Sequence, residues 1–575
     1  MSWALLLLGL GGLWLGAWRP VQGAEQRRAP NILLVLADDL GYADLGCYGS
    51  EIRTPQIDAL AAGGLRFTQF YNTARCCPSR ASLLTGLYPH QTGLGSMTGD
   101  AGERFPGYRG RIGNQCVTLA EVLKAAGYRT AMSGKWHVGD TVSPTARGFD
   151  EFYGFVRGYG VDSWDARPMI RLPEGRTARK YAPGEFFATD AITDHALDFL
   201  ADFGQTPERP WFLYLAYQAP HFPVQTRPED AAGYAEIYAQ GWDQIRARRL
   251  ARQKELGLLG ADTPLTPRSP IPNPQVAQRL GSMTADGANP AWDTLDAARR
   301  ADLAGRMAAF AGMVSGMDRN LGRVIDQLRR HDQLANTLIL LLSDNGACAE
   351  WEPWGFDLTA QSNLSSGPGA GINQGTPGMP NHLHTGAELA AMGGPGTLMS
   401  YGSAWANVGN TPFRLYKHYV HEGGIRTPLV VHWPARISAR GAFRQQPGHL
   451  VDIMATLVEV SGAAYPRQLG GQAILPMEGT SLTPAFADGA LAREELCWEH
   501  EGNGAVRVGD WKLVRKGRDG AWELYDLRTD CVEMQDRAAE QPERVRQMAA
   551  RWEAWAQRCQ VLPAPPGPRK PRPKP

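Results

Sequence analysis

Positions 31–36, Asn-Ile-Leu-Leu-Val-Leu, form a short apolar run that stops at Asp38-Asp39, the pattern of a strand buried on both faces. Thr118-Leu119-Ala120-Glu121 has capping-box spacing and predicts a helix ending near Gly127, followed by a strand over 128–133. Residues 211–217 read as another buried strand. Phe310, Met313, Met317, Leu321, Val324 and Leu328 recur at helical spacing ahead of a strand over 338–342. A further strand over 427–433 precedes a helix over 451–460. Strands alternating with helices over this length predict an α/β fold, a large, mixed but mostly parallel sheet sandwiched by helices.

From about residue 491 the texture changes. Residues 505–514 and 522–525 read as antiparallel strands joined through Asp519-Gly520, and Val545, Met548, Trp552 and Trp555 line one helix face. The expected organisation is a large domain over 25–490, a small α+β domain with an antiparallel sheet over 491–562, and a disordered Pro/Lys/Arg tail over 563–575. Two insertions interrupt the large domain. Residues 225–300 carry a basic helical piece, Arg246 to Lys254, expected to be a solvated face, and 351–410 form a Gly-, Asn- and Ser-rich stretch of the length that is commonly functional.

Composition narrows the function classes. Apolar residues make up 43% and charged residues 20% of 575, enough to bury a core and too little charge for global disorder. A formal charge of +1 leaves no field that would recruit nucleic acid or an anionic membrane. Residues 4–17 are nearly all apolar and lead to Val21-Gln22-Gly23-Ala24, a secretory signal over 1–24 and too short for a membrane span, which needs about 20 residues. No membrane span is expected after its cleavage, and the location is secreted or periplasmic. Eight cysteines in a chain this long are no disulfide framework.

In open α/β sheets, ligands bind beyond the carboxyl ends of the strands. Those ends carry Asp38 and Asp39, Lys135 and His137, His221, and Asp344 and Asn345. Asp38, Asp39, Asp344 and Asn345 offer only oxygen, which suits one hard divalent cation, with Ca²⁺ favoured over Mg²⁺ by a loop-derived site. The lysine and histidines imply an anionic substrate, and on these residues alone phosphoryl and sulfuryl transfer both remain open.

The run Cys76-Cys77-Pro78-Ser79-Arg80 leading to Leu84-Thr85-Gly86 resembles the signature of the type I sulfatases, in which the first cysteine is oxidised to formylglycine. Gly134-Lys135-Trp136-His137, Pro220-His221-Phe222-Pro223, Ser343-Asp344-Asn345-Gly346 and Lys417 ahead of Glu422-Gly423-Gly424 extend the likeness from Pro30 to about Leu527, closest to bacterial arylsulfatases of the alkaline phosphatase superfamily. The resemblance implies an alkaline phosphatase-like fold, a sulfate-ester substrate and a partner enzyme that generates formylglycine from Cys76. It also implies Cys76 as nucleophile and additional metal ligand, with Asp344 a nearby proton acceptor. His221 and Lys417 would bind sulfate and protonate the leaving oxygen, His137 would deprotonate the second hydroxyl, and Arg80 and Lys135 would hold the diol and neutralise charge. Two rivals stand beside this reading: a phosphatase or phosphonate monoester hydrolase of the same superfamily, and a catalytically silent binder of sulfated glycans.

Overall fold

The apolar runs become the centre of a ten-stranded sheet in the order β10-β2-β8-β7-β1-β6-β3-β4-β5, with β9 beside β2. The strands are β1 (Asn31–Ala37), β2 (Leu65–Tyr71), β3 (Arg129–Lys135), β4 (Glu151–Phe155), β5 (Ile170–Leu172), β6 (Trp211–Ala216), β7 (Thr337–Ser343), β8 (Arg426–His432), β9 (Ala442–Arg444) and β10 (Gly448–His449). Strands β7, β1, β6, β3 and β4 run parallel. The strand expected over 427–433 is β8, and it runs antiparallel between β7 and β2. The computed structural model describes residues 29–158, 160–272, 286–349, 353–357 and 382–566. The expected signal segment 1–24, the tail from 567 and residues 358–381 of the second insertion lie outside them. No helix among the described residues is long and apolar enough to cross a membrane.

The period of two along β1 splits the core into two layers. Leu33 and Val35 enter one layer with Met307, Phe310, Val314 and Leu321 of the 34-residue helix Ala297–Arg330. Ile32, Leu34 and Leu36 enter the other with Leu83 and Leu84 of the helix Cys76–Thr85. Each leucine so buried contributes about 1.5–3 kcal/mol of transfer free energy, so the register of β1 is strongly specified. Local signals act as expected at Leu119–Ala125: the Thr118 hydroxyl accepts from the Glu121 amide at 3.1 Å, and the Glu121 carboxylate accepts from the Thr118 amide at 2.7 Å.

Two expectations are corrected. The basic piece of the first insertion lies in the helix Trp242–Glu255, but only part of it is solvated, because Arg246 and Arg249 are buried. Arg249 reaches Asp44 and Glu51, both at 2.7 Å, so paired carboxylates draw it inward. The stretch 505–514 is two strands, since the chain turns at Gly509-Asp510. After a two-residue-strand hairpin, β11 (Gln468–Leu469) and β12 (Gln472–Ala473), the antiparallel C-terminal sheet runs β13 (Glu495–His500), β14 (Asn503–Val508), β15 (Trp511–Arg515), β16 (Trp522–Asp526). The helix Pro542–Arg558 packs Met548, Trp552 and Trp555 onto it.

Candidate active site

Because β7, β1, β6 and β3 are parallel neighbours, their carboxyl ends open on one edge of the sheet. That edge gathers Asp38 and Asp39 after β1, Lys135 and His137 at and after β3, His221 after β6, and Asp344 and Asn345 after β7. All seven are buried. Cys76 and Arg80 arrive on the helix that follows β2, and Lys417 on the loop before β8. Gly134 lets β3 run tight against β6: its φ is +120°, and a Cβ there would lie 1.8 Å from the Ala216 carbonyl oxygen. Asp39, Ala74, His137 and His418 also take positive φ, a conformation costly for residues other than glycine and concentrated here at the site.

The carboxylates are wired to cations and to each other. Lys135 Nζ lies 2.5 Å from Asp38 Oδ2. Arg80 donates from Nε to Asp344 Oδ2 at 3.0 Å and from Nη1 to the Lys135 carbonyl at 2.8 Å, and its Nη2 lies 2.8 Å from Asp344 Oδ2 as an ion pair. Asn345 Nδ2 donates to Asp39 Oδ1 at 2.7 Å, and Lys417 Nζ sits 2.8 and 3.0 Å from the two Asp39 oxygens. His221 Nε2 is 3.5 Å from Asp39 Oδ2, and its Nδ1 donates to the Phe222 carbonyl at 2.5 Å. Burial pushes the Asp39 carboxyl up, but Lys417 and His221 reverse this and hold it well below the usual carboxylate range. Burial and the adjacent charge of Asp38 push Asp344 well above that range, despite Arg80.

This arrangement fits a hard cation. Asp38 Oδ1 and Asn345 Oδ1 are buried acceptors with no hydrogen-bond partner among the described residues, and such atoms are costly unless something satisfies them. Three carboxylates crowd together, and the raised Asp344 reflects burial first and then the charges of Asp38 and Asp39, a repulsion that a divalent ion would relieve. Asp38, Asp39, Asp344 and Asn345 are the residues able to hold it. Lys417 is held well above its usual value by Asp39, which outweighs the downward pull of burial, so it remains a cation and a donor.

Cys76 opens its helix and is 1% exposed. Burial pushes its thiol up, but a hydrogen bond with Cys77 and the charges of His137, Lys135 and Lys417 hold it well below the usual thiol value. Cys77, by contrast, is pushed well above that value by burial and by Cys76. His137 and His221 are each pushed down to about 4, by burial first, so both rings are neutral near pH 7. One contact was not foreseen: His137 Nε2 lies 3.1 Å from the sulfur of Cys77.

The C-terminal sheet also reaches this edge through residues the sequence reading missed. Arg75 Nη1 lies 3.1 Å from Glu501 Oε1 and 2.9 Å from His418 Nε2, and Asn503 Nδ2 donates to the His418 carbonyl at 2.9 Å. Arg75 and His418 each adjoin a predicted site residue, which was the available signal. Glu501 and Asn503, at the β13–β14 turn, carried none.

The sequence model of the sulfatase family matches residues 30–463, and that of the N-sulphoglucosamine sulphohydrolase C-terminal region matches 413–556. An uncharacterised sulfatase of Schizosaccharomyces pombe is 30% identical over 569 residues, 94% of this chain and 96% of that one. The arylsulfatase of Klebsiella aerogenes is 31% identical over 472 residues, 80% of this chain and 92% of the other. Among solved structures, Ps i-CgsB, in complex with k-i-k-neocarrahexaose, superposes with TM-score 0.62 at 23% identity, covering 93% of this chain and 98% of that one. The phosphonate monoester hydrolase of Agrobacterium radiobacter gives 0.53 at 18%, covering 94% and 100%, so the two chemistries share the fold.

Proposed function

The chain belongs to the sulfatase family and is a sulfuric ester hydrolase, and from that premise we propose that it is an exported enzyme whose nucleophile is formylglycine made from Cys76, acting beside one divalent cation. The observation that carries this is the setting of Cys76. It is buried at the start of a helix, within the field of Lys135, His137 and Lys417, next to an oxygen set in which two buried acceptors lack partners. We assign residues 25–490 to the catalytic domain and 491–562 to the small domain, with residues 1–24 as the export signal. Ca²⁺ is the ion this oxygen set favours, and when bound it would act as a Lewis acid on the ester's sulfate oxygens.

Hydrated formylglycine carries two hydroxyls on one carbon, so residue 76 can attack sulfur with one and release sulfate as the other re-forms the aldehyde. Its oxygen would also join the metal ligands, a role unsuited to sulfur on a hard ion. Asp344 is the group placed to receive the proton of the attacking hydroxyl. Lys417, held cationic by Asp39, would bind sulfate and protonate the leaving ester oxygen, and His221, whose Nδ1–H is engaged by the Phe222 carbonyl, would join it as the imidazolium that a bound anion favours. His137, neutral near pH 7, takes the proton of the second hydroxyl. Arg80 and Lys135 are fixed by their carboxylate contacts and neutralise developing charge without reorganising. We take aryl sulfates as substrates from the likeness to the Klebsiella aerogenes arylsulfatase; sulfated polysaccharide is equally compatible with export.

Mass spectrometry of the peptide Cys76 to Arg80 should show the aldehyde at residue 76, with Cys77 a thiol. The kcat/KM for nitrophenyl sulfate should exceed that for nitrophenyl phosphate. A preference for phosphate would favour the phosphonate hydrolase chemistry, and no turnover of either ester by converted, ion-loaded protein would leave only binding.

A further inference from the structure

Residue 76 stands between two donor sets of opposite hardness. On one side are the oxygens of Asp38, Asp39, Asp344 and Asn345. On the other are sulfur and imidazole nitrogen: one ligand atom each from Cys76, Cys77 and His137 lies within 4.8 Å of the others. Cys77 Sγ is 3.1 Å from His137 Nε2 and 3.7 Å from the thioether of Met97. A four-coordinate ion with bonds of about 2.0–2.3 Å separates its ligand atoms by about 3.3–3.8 Å, so small side-chain shifts suffice. Cys76, Cys77 and His137 are each no more than 1% exposed, and His137 Nδ1 has no hydrogen-bond partner among the described residues.

We propose that the chain in which Cys76 remains a thiol binds one soft, thiophilic cation, best Cu(I), through Cys76, Cys77, His137 and Met97. Thiolate and thioether donors select copper(I), whereas zinc seldom takes a thioether. Binding displaces the two thiol protons to solvent, and the resulting Cu(I) dithiolate carries one negative charge. Lys135 and Lys417, whose charges act on Cys76, and Arg75, whose charge acts on Cys77, offset it. An ion held there occupies both the sulfur of Cys76 and the ring of His137. Conversion of Cys76 to the aldehyde removes a ligand and abolishes the site. Soft-metal loading is therefore a property of unconverted protein.

The test uses full-length, reduced protein under anaerobic conditions, with the state of residue 76 established by peptide mass. Cu(I) is titrated against bathocuproine disulfonate as competing chelator. Unconverted chain should withdraw one copper, and Cys76→Ser and Cys77→Ser should bind at least about tenfold more weakly. Met97 is only partly buried, so Met97→Leu should fold normally and also lose about tenfold. X-ray absorption should show three sulfurs and one nitrogen around the copper. Wild-type affinity in Met97→Leu or Cys77→Ser, or equal copper uptake by aldehyde-bearing chain, would overturn the proposal. No substrate is involved, so such a failure leaves the hydrolase reading standing.

Discussion

The two adjacent cysteines differ in their surroundings, and that difference makes their substitution a sharp test. Lys135, His137 and Lys417 act on Cys76, whereas Cys77 is raised by burial and by Cys76. Cys76→Ala should lower kcat/KM at least about a thousandfold, as loss of a nucleophile does. Cys77→Ala removes neutral thiol contacts to Cys76, Met97 and His137 and should cost about tenfold or less. An exchange of these outcomes would reassign the nucleophile. The acid and base roles proposed for Lys417, His221 and His137 separate by leaving group. In Lys417→Ala and His221→Ala, alkyl sulfates should suffer more than nitrophenyl sulfate, because a stable phenolate needs less protonation, with losses of about 10²–10⁴. In His137→Ala the loss should fall on sulfate release, seen as a burst of phenol and a sulfate mass retained on the Cys76 to Arg80 peptide. Equal leaving-group sensitivity in all three variants would refute this division of roles.

At the scale of elements, the four parallel ends carry the site, and the insertions are anchored by buried charge. The helix Trp242–Glu255 is tied to the β1 side of the molecule by Arg249, which is 1% exposed and contacts Asp44, Glu51 and the Val408 carbonyl. Arg249→Ala leaves Asp44 buried and unpaired and should cost about 3–5 kcal/mol in chemical denaturation. Arg252 on the solvent side of the same helix should tolerate alanine within about 0.5 kcal/mol. Similar costs for the two would mean that Arg249 is better solvated than the structure shows.

Over the whole molecule, pH and metal act on the joins between parts. His384 bridges Asp302 of the long helix at 2.8 Å and Asp357 at 2.9 Å, beside Arg306, which fastens two points of the second insertion to the helix. Burial pulls its pKa down, but Asp302 and Asp357 hold it up at about 9. The unfolded value is near 6.5. The folded state therefore binds the proton more tightly, and this stabilisation is fully present below about pH 6.5 and lost as pH rises through 9. Denaturation midpoints of His384→Gln should fall less between pH 6.5 and 9.5 than those of the parent chain. Parallel slopes would show that the bridge carries no charge-dependent stability. The oxygen site joins the ends of β1 and β7, so Ca²⁺ at a hundred times its Kd should add about 2.7 kcal/mol. Asp38→Ala should lose both that increment and the bound ion, whereas chelation of the parent chain should remove turnover reversibly.

Local patterns determined the buried strands, the Thr118–Glu121 cap, the mostly parallel sheet and the residue types at the strand ends, because hydrophobic periodicity and capping act within a few residues of chain. Cys76, Arg80 and Lys417 were legible as a motif, through their likeness to known chains. Tertiary structure alone decided what depends on contacts between distant segments. It made β8 antiparallel, turned Arg249 inward toward carboxylates far away in the chain and Arg246 toward Thr266, and brought Glu501 and Asn503 of the C-terminal sheet against Arg75 and His418. It also set Met97 and His137 around Cys77. None of these has a local signature, since a buried arginine and a solvated one read alike until the carboxylate that pairs with it is brought into place.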